Sequence, residues 1–128
     1  MNPYLIAALM AAGVMPYVLT SVAKAGAFDA TQNHRTRGWQ SELSGWRQRA
    51  HWAHNNAFEV FPLFVTAVFV SALAAPESPL SVGLAWGFVG TRVLFSAFYL
   101  KDWARPRSMS FHLGMACVLG LFIDALRT

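Results

Sequence analysis

The sequence predicts an all-α integral membrane protein, folded as a bundle of four transmembrane helices. Of its 128 residues, 55% are hydrophobic and 12% are charged, about half the charge of an ordinary soluble domain. Four apolar runs, at about 3–23, 52–75, 80–100 and 108–126, are long enough to cross a hydrocarbon layer roughly 30 Å thick. No run alternates between apolar and polar residues, so the backbone hydrogen bonds required in lipid favour helices over barrel strands.

The chain is long enough for one domain over residues 1–128 and too short for two independent cores. The first apolar run lacks the basic start and small-residue cleavage site of a secretion signal, so we expect it to be retained as a helix. Cys117 is the single cysteine, which excludes an intrachain disulfide.

Basic residues gather on one side of the predicted bundle. The opposite side carries only Arg127. The first and third connections carry eight basic residues: Lys24, Arg35, Arg37, Arg47, Arg49, Lys101, Arg105 and Arg107. By the positive-inside rule we expect both termini outside the cytoplasm, in a bacterial inner membrane. The net charge of +4 is then a mark of topology, which argues against a nucleic-acid partner and favours the lipid bilayer or an anionic substrate.

The first predicted helix begins at Asn2-Pro3, a suitable cap and first-turn pair. Ala8, Ala12 and Gly13 offer a small-residue face for close helix packing. Pro16 should bend the helix and leave a carbonyl for a neighbour to satisfy. The long cytoplasmic connection that follows, at about 24–48, either covers a site or lies against lipid headgroups, and both interpretations stay open.

The second helix carries the stretch that most needs a functional explanation, Arg49 to Pro62. At helical spacing Arg49, Trp52, Asn56 and Glu59 fall within one narrow stripe. Glu59 would lie about 10 Å below the membrane surface, where a carboxylate is costly and usually functional. His51 and His54 point away from this stripe, and because no other metal-binding side chain clusters with them we predict packing roles and no metal.

The third helix combines a small-residue face, Gly83, Gly87 and Gly90, with Arg92 on its opposite side. Counted from the cytoplasmic end, Arg92 lies about 13 Å deep, close to the level of Glu59. We therefore predict that Glu59 and Arg92 form an ion pair, either as an internal clasp or as part of a polar site with Tyr99.

In the fourth helix, Arg107 and Ser108 stand at the N-terminus, where they either hold an anion or thiolate or only set the topology. An interhelical hydrogen bond is predicted for His112. Asp124 and Arg127, three residues apart, are expected to pair at the far end.

These residues resemble the two signatures of the MAPEG family, the membrane-associated proteins of eicosanoid and glutathione metabolism. The first signature is similar to Arg49, Ala53-His54-Asn55-Asn56, Glu59 and Pro62, and the second to Arg92, Tyr99 and Arg107-Ser108. The resemblance implies a homotrimer of four-helix protomers with glutathione bound in a cleft between protomers.

By the same resemblance, Arg107 is the catalytic residue that stabilises the glutathione thiolate. The residues that would bind glutathione as co-substrate are Arg49, Asn56, Glu59, Arg92, Tyr99 and Ser108. The chain departs from the family pattern at Trp52, Phe95 and Phe111, where polar residues stand in other members. The connection before Arg107 is one residue short, so Arg105 is an alternative thiolate partner.

Two functions follow as hypotheses. The first is a membrane glutathione transferase or peroxidase acting on small apolar electrophiles or hydroperoxides. The second, motivated by the three aromatic replacements, is a non-catalytic MAPEG-like binding or structural protein that does not use glutathione. Transport is a weaker third hypothesis, because the ionisable groups do not continue across the span.

Overall fold

The computed structural model describes residues 1–128 and contains six helices and no strands. They are α1 (Pro3–Lys24), α2 (Ala30–Asn33), α3 (Thr36–Ser41), α4 (Gly45–Ala74), α5 (Pro79–Leu100) and α6 (Ala104–Leu126). Four of them, α1, α4, α5 and α6, are long and apolar enough to cross a membrane. The predicted all-α class with four candidate spans is therefore confirmed.

Two of the long helices begin earlier than the apolar runs indicated. α4 starts at Gly45 and includes polar residues such as Arg47 and Gln48, while α6 starts at Ala104. Hydropathy marks the part of a helix that fits the bilayer, whereas the helix itself continues wherever its hydrogen bonds are satisfied. At 30 residues, α4 would measure about 45 Å, so one of its ends extends beyond the hydrocarbon layer.

The connection between α1 and α4 is ordered by polar contacts. Asp29 and Gln32 form a capping box at the start of α2. The Arg35 guanidinium hydrogen-bonds the Glu42 carboxylate at 2.5 Å and holds the pKa of that carboxyl below its ordinary value. Arg47 donates to the Ala23 and Ala25 carbonyls, which attaches the start of α4 to the end of α1.

The core lies where α1 and α5 meet α4 and α6. α5 packs most extensively on α6, and α1 on α4. Phe64 and Phe88 stack with ring centroids 4.1 Å apart at its centre. The predicted small-residue face of α1 is confirmed, because Ala8 and Ala12 are buried in this core.

The small-residue face predicted on α5 is largely wrong. A Cβ on Gly87 would stand 3.2 Å from the Cys117 sulfur, but a Cβ on Gly83 or Gly90 would meet nothing within 4 Å. The close packing instead uses glycines of α6: Gly114 faces Thr91 and Phe88, and Gly120 faces Leu84. Spacing within α5 identifies a face of that helix, but it does not show which face meets α6. The contact face is set by large side chains of α5, such as Phe88 and Leu84, which pack against glycines of α6.

Replacing Gly114 by alanine is expected to destabilise the bundle, whereas Gly83→Ala is not. The new Cβ at position 114 would stand 2.9 Å from Thr91 Oγ1, and overpacking of this kind costs about 1–3 kcal/mol. At position 83 only the helix propensity changes, which favours alanine by roughly 1 kcal/mol. Unfolding midpoints in detergent check this, and equal midpoints for the two variants would contradict the packing described.

Asp124 joins three helices at the end of the bundle opposite the α2–α3 connection. Its Oδ2 accepts hydrogen bonds from Ser78 Oγ at 2.6 Å and Ser81 Oγ at 2.8 Å, and the Ser81 hydroxyl also hydrogen-bonds Ser71. The predicted Asp124–Arg127 ion pair is absent. The carboxylate lies beside the N-terminus of α5, where hydroxyl donors and the helix dipole both favour a negative charge.

We expect Asp124→Ala to lower the free energy of unfolding by about 1–3 kcal/mol, because two serine hydroxyls lose their acceptor. Glu77→Ala is the matched control, since Glu77 is an exposed acid at the same end without a hydrogen bond to its carboxylate. Unfolding midpoints in one detergent compare the two. An equally large loss of unfolding free energy in the Glu77→Ala variant would show that the change in net charge, and not the loss of the serine hydrogen bonds, destabilises the Asp124→Ala variant.

Candidate functional site

A polar cleft opens at the end of the bundle where α4 and α6 begin and α5 ends. Its volume is about 520 Å³, within the range of small-molecule sites. Seven residues line it: Trp52, Asn55, Asn56, Glu59, Phe95, Tyr99 and Arg107. The other two surface cavities have no charged side chain in their walls.

Helix geometry explains why these residues meet. Trp52, Asn56 and Glu59 recur at helical spacing and therefore share one face of α4. Phe95 and Tyr99 are one turn apart on α5, and the short turn after α5 brings Arg107 into the first turns of α6. Asn55 also lines the cleft and was not predicted, although its spacing of three from Trp52 and four from Glu59 places it on this face.

Arg107 has no acidic partner. Its guanidinium lies over the Tyr99 ring, 4.5 Å from the centroid, and the one ion pair of the structure lies elsewhere, between Arg35 and Glu42. Stacking on an aromatic face fixes the plane of a guanidinium while leaving its N–H groups to donate sideways. The cleft therefore holds a positioned cation that is available to an anion.

Arg92 reaches the cleft only through Asn56. It is 3% exposed, its guanidinium lies 4.2 Å from the Phe95 ring centroid, and its Nη2 donates to Asn56 Oδ1 at 2.7 Å. Asn56 Nδ2 in turn lies 3.5 Å from Glu59 Oε2. This contact fixes the Asn56 amide with its oxygen toward Arg92 and its NH₂ group toward Glu59.

The predicted direct ion pair between Glu59 and Arg92 is therefore wrong. Both residues belong to neighbouring helices, but Arg92 turns inward while Glu59 is exposed. Depth along a helix follows from its rise per residue, whereas contact also depends on which way each side chain points. Asn56, one turn before Glu59 on α4, accepts the hydrogen bond from the Arg92 guanidinium instead.

Besides Arg92, three other predicted or alternative site residues lie outside the cleft wall. Arg49 donates from Nε to the Leu100 carbonyl at 3.2 Å. Ser108 and Arg105 are exposed and do not line the cleft. Of the two candidate thiolate partners, only Arg107 faces the cleft.

The histidines serve packing and backbone contacts. The rings of His51 and His54 stack with centroids 5.7 Å apart, and His54 Nδ1 donates to the Pro16 carbonyl at 2.6 Å. No three His, Cys, Asp or Glu side chains cluster as a metal site would require. His112 is exposed and lies against Phe111, so its predicted interhelical hydrogen bond is wrong.

The arrangement suits a small polar molecule that carries an anion. A guanidinium beside sulfur favours the thiolate over the thiol, and the Glu59 carboxylate can accept hydrogen bonds from an amine. The chain thus falls in the class of four-helix membrane proteins with a polar cleft at one end of the bundle.

Comparison with known proteins narrows this class. The family model described as the MAPEG family matches residues 4–127, so the chain belongs to the MAPEG family. The family includes glutathione transferases and peroxidases as well as non-catalytic members. Searches of the curated proteins and of the solved structures found no significant match.

Proposed function

We propose that this protein is a membrane glutathione-dependent transferase or peroxidase that acts on apolar electrophiles or hydroperoxides taken from the bilayer. The observation that carries the proposal is Arg107, a cation without an acidic partner, stacked over Tyr99 in the same cleft as Asn56 and Glu59. Membership of a family that includes such enzymes supports it.

The residues of the cleft fit the co-substrate. Glutathione supplies the thiolate that attacks an electrophilic carbon or a peroxide oxygen. Arg107 stabilises the sulfur charge and so raises the fraction of thiolate at neutral pH. Glu59 accepts from the ammonium group, and the NH₂ group of Asn56, oriented by Arg92, donates to a peptide carbonyl. Arg49 and Ser108 stand next to the cleft, and the proposal does not depend on them.

The exposed position of Glu59 in this cleft supports assembly of the protein as a homotrimer in the membrane. Glu59 lies on the exposed surface of the protomer, within the apolar part of α4. A carboxylate facing acyl chains is costly, so a neighbouring protomer that covers this face would lower the cost and close the cleft. The basic end of the bundle would face the cytosol, with both termini on the other side of a bacterial inner membrane.

The test is a calorimetric titration of glutathione into the detergent-solubilised protein, repeated in buffers with different ionisation enthalpies. Binding as thiolate releases the thiol proton, so the measured heat should depend on the buffer. S-methylglutathione, which has no thiol proton, is the matched control and should bind without proton release. Absence of binding heat for both ligands would contradict the proposal.

The aromatic part of the cleft wall favours a second candidate, a MAPEG protein without glutathione chemistry. Trp52 and Phe95 line the cleft, and the Phe111 ring lies 6.2 Å from that of Phe95, so this wall offers little to a tripeptide. For such a protein, Glu59→Ala would lower stability in detergent while glutathione left the melting temperature unchanged. A glutathione-dependent rise in melting temperature rejects this candidate.

A further inference from the structure

An apolar groove runs along α1 on its side toward α5. Its deeper part is a cavity of about 490 Å³ lined by seven hydrophobic residues, of which Val89 and Val93 belong to α5 and the rest to α1. A second cavity of about 440 Å³ shares Val18 with the first and continues along α1 to Ala25. From Met10 to Ala25 the groove extends about 22 Å along the helix, close to the thickness of one membrane leaflet with its headgroups, about 20 Å.

The groove lies on the flank of the bundle opposite the polar cleft. α1 and α6 each pack on α4 and α5, so they stand at diagonal corners of the bundle. The flank between α1 and α5 is therefore opposite the flank between α4 and α6, where Glu59 and Arg107 stand. In a closed three-fold ring both neighbours of a protomer lie on one half of it, so a neighbour that closes the cleft leaves the groove facing lipid.

Two cations stand where the groove reaches the basic end of the bundle. Arg47 Nη1 donates to the carbonyl of Ala25, a residue of the groove wall, at 2.6 Å, and the Arg47 Nη2 and Nε atoms have no protein acceptor. The Lys24 ammonium, one residue before Ala25, lies 4.5 Å from the Phe28 ring centroid. Neither cation belongs to an ion pair of the structure, so both are available to an anion.

Aromatic side chains at the same end indicate the level of the membrane surface. Tyr17 lines the second cavity and is exposed. Trp46 is also exposed, and the Arg47 guanidinium lies 4.3 Å from its ring centroid. Tyr and Trp are enriched where a membrane meets water, and anionic headgroups attract basic residues at that level. The groove is therefore apolar within one leaflet and cationic at the surface of that leaflet.

We infer that this groove binds an anionic phospholipid, with one acyl chain along α1 and the headgroup phosphate on Arg47 and Lys24. A guanidinium can donate two N–H groups to one phosphate, and an ammonium adds a second point charge. A zwitterionic lipid offers the same chain and phosphate, but its own ammonium group reduces the attraction. The site shares no residue with the polar cleft, so it goes beyond the proposed glutathione chemistry and does not depend on it.

The experiment measures which lipid the full-length protein retains when native mass spectrometry releases it from mixed micelles. The micelles contain equal amounts of dioleoyl phosphatidylglycerol and dioleoyl phosphatidylcholine, which have the same chains and differ only in the headgroup. The wild-type protein is expected to retain phosphatidylglycerol in preference, by about five-fold for each cation that contacts the phosphate. This comparison needs no variant and so does not depend on how a mutant folds.

Two substitutions test the cationic mouth of the groove. Lys24→Gln and Arg47→Gln should each lower the preference for phosphatidylglycerol about five-fold. Arg47 also attaches α4 to α1, whereas the Lys24 side chain makes no hydrogen bond, so the Lys24 variant isolates the charge from the packing. Arg105→Gln is the matched control, because Arg105 is an exposed cation at the same end of the bundle on α6, outside the groove.

A third substitution tests the apolar part of the groove. Val14 lines the deeper cavity and is exposed, so Val14→Phe places a larger side chain where the acyl chain would lie. It should lower the retention of phosphatidylglycerol about five-fold or more, the cost of overpacking a filled site. Ile6→Phe is the matched control, because Ile6 is exposed on the same helix and does not line the groove.

Several outcomes overturn the inference. Equal retention of the two lipids by the wild type removes the headgroup site. An equal loss of preference in the Lys24→Gln and Arg105→Gln variants shows that the total charge of this end is the cause. Equal retention by the Val14→Phe and Ile6→Phe variants shows that the chain does not lie in the groove. A change of oligomeric state in Val14→Phe alone shows that a second copy of the chain occupies it. The glutathione titration is independent of all these results.

Discussion

Replacing Arg107 by alanine is expected to lower glutathione-dependent turnover by about two orders of magnitude, the usual cost of removing one preorganised donor from a developing or bound anion. Arg107 is the only cation in the cleft wall, so no neighbouring side chain can replace it at the sulfur. The measurement is kcat/KM with a model electrophile, made together with glutathione affinity to separate chemistry from binding.

Arg105→Ala is the control for this prediction. Arg105 lies on the same helix, two residues earlier, but is exposed and does not line the cleft. Its variant should keep near wild-type turnover, although both substitutions remove one positive charge from the same end of the bundle. A larger loss in the Arg105 variant would assign the thiolate to that residue, the alternative that the short connection before Arg107 leaves open.

Asn56→Ala is expected to lower the free energy of unfolding by about 1.5–3 kcal/mol, the range for a hydrogen bond to a charged group. The cause is Arg92, which is 3% exposed and whose Nε and Nη1 already have no hydrogen-bond partner. Loss of the Asn56 acceptor would leave the buried guanidinium with no hydrogen bond at all. Unfolding midpoints in detergent measure the effect.

Two variants test this cause. Asn55→Ala changes the adjacent, exposed residue, whose amide lies 3.4 Å from His51 Nε2, and should shift stability by no more than about 0.5 kcal/mol. Asn56→Asp keeps an acceptor facing Arg92 and adds a counter-charge, so it should recover most of the loss. Similar destabilisation by Asn55→Ala and Asn56→Ala, without recovery by aspartate, would contradict the role given to Asn56.

The sequence predicted much of the bundle because its signals are local. Length and hydropathy located the four spans, and helical spacing placed Trp52, Asn56 and Glu59 on one face of α4. The charge and polarity of this face were sufficient to indicate a site. Its resemblance to a family signature predicted the MAPEG membership that the family model confirmed.

Contacts between helices were predicted less well. Glu59 and Arg92 lie on adjacent helices, but helix rotation and side-chain direction placed Asn56 between them. Asp124 found its donors in Ser78 and Ser81, more than forty residues away, and not in nearby Arg127. Spacing along one helix reports neighbours on that helix, and partners on other helices depend on how the whole bundle packs.

The most direct test of the account is the ultraviolet absorbance of the thiolate when glutathione is mixed with the protein at neutral pH. A free thiol is only a few per cent thiolate under these conditions. If Arg107 stabilises the sulfur charge, the wild-type protein should show a thiolate band that saturates with glutathione, and the Arg107→Ala variant should not. A wild-type protein saturated with glutathione but showing no thiolate beyond that of free glutathione would contradict the central claim.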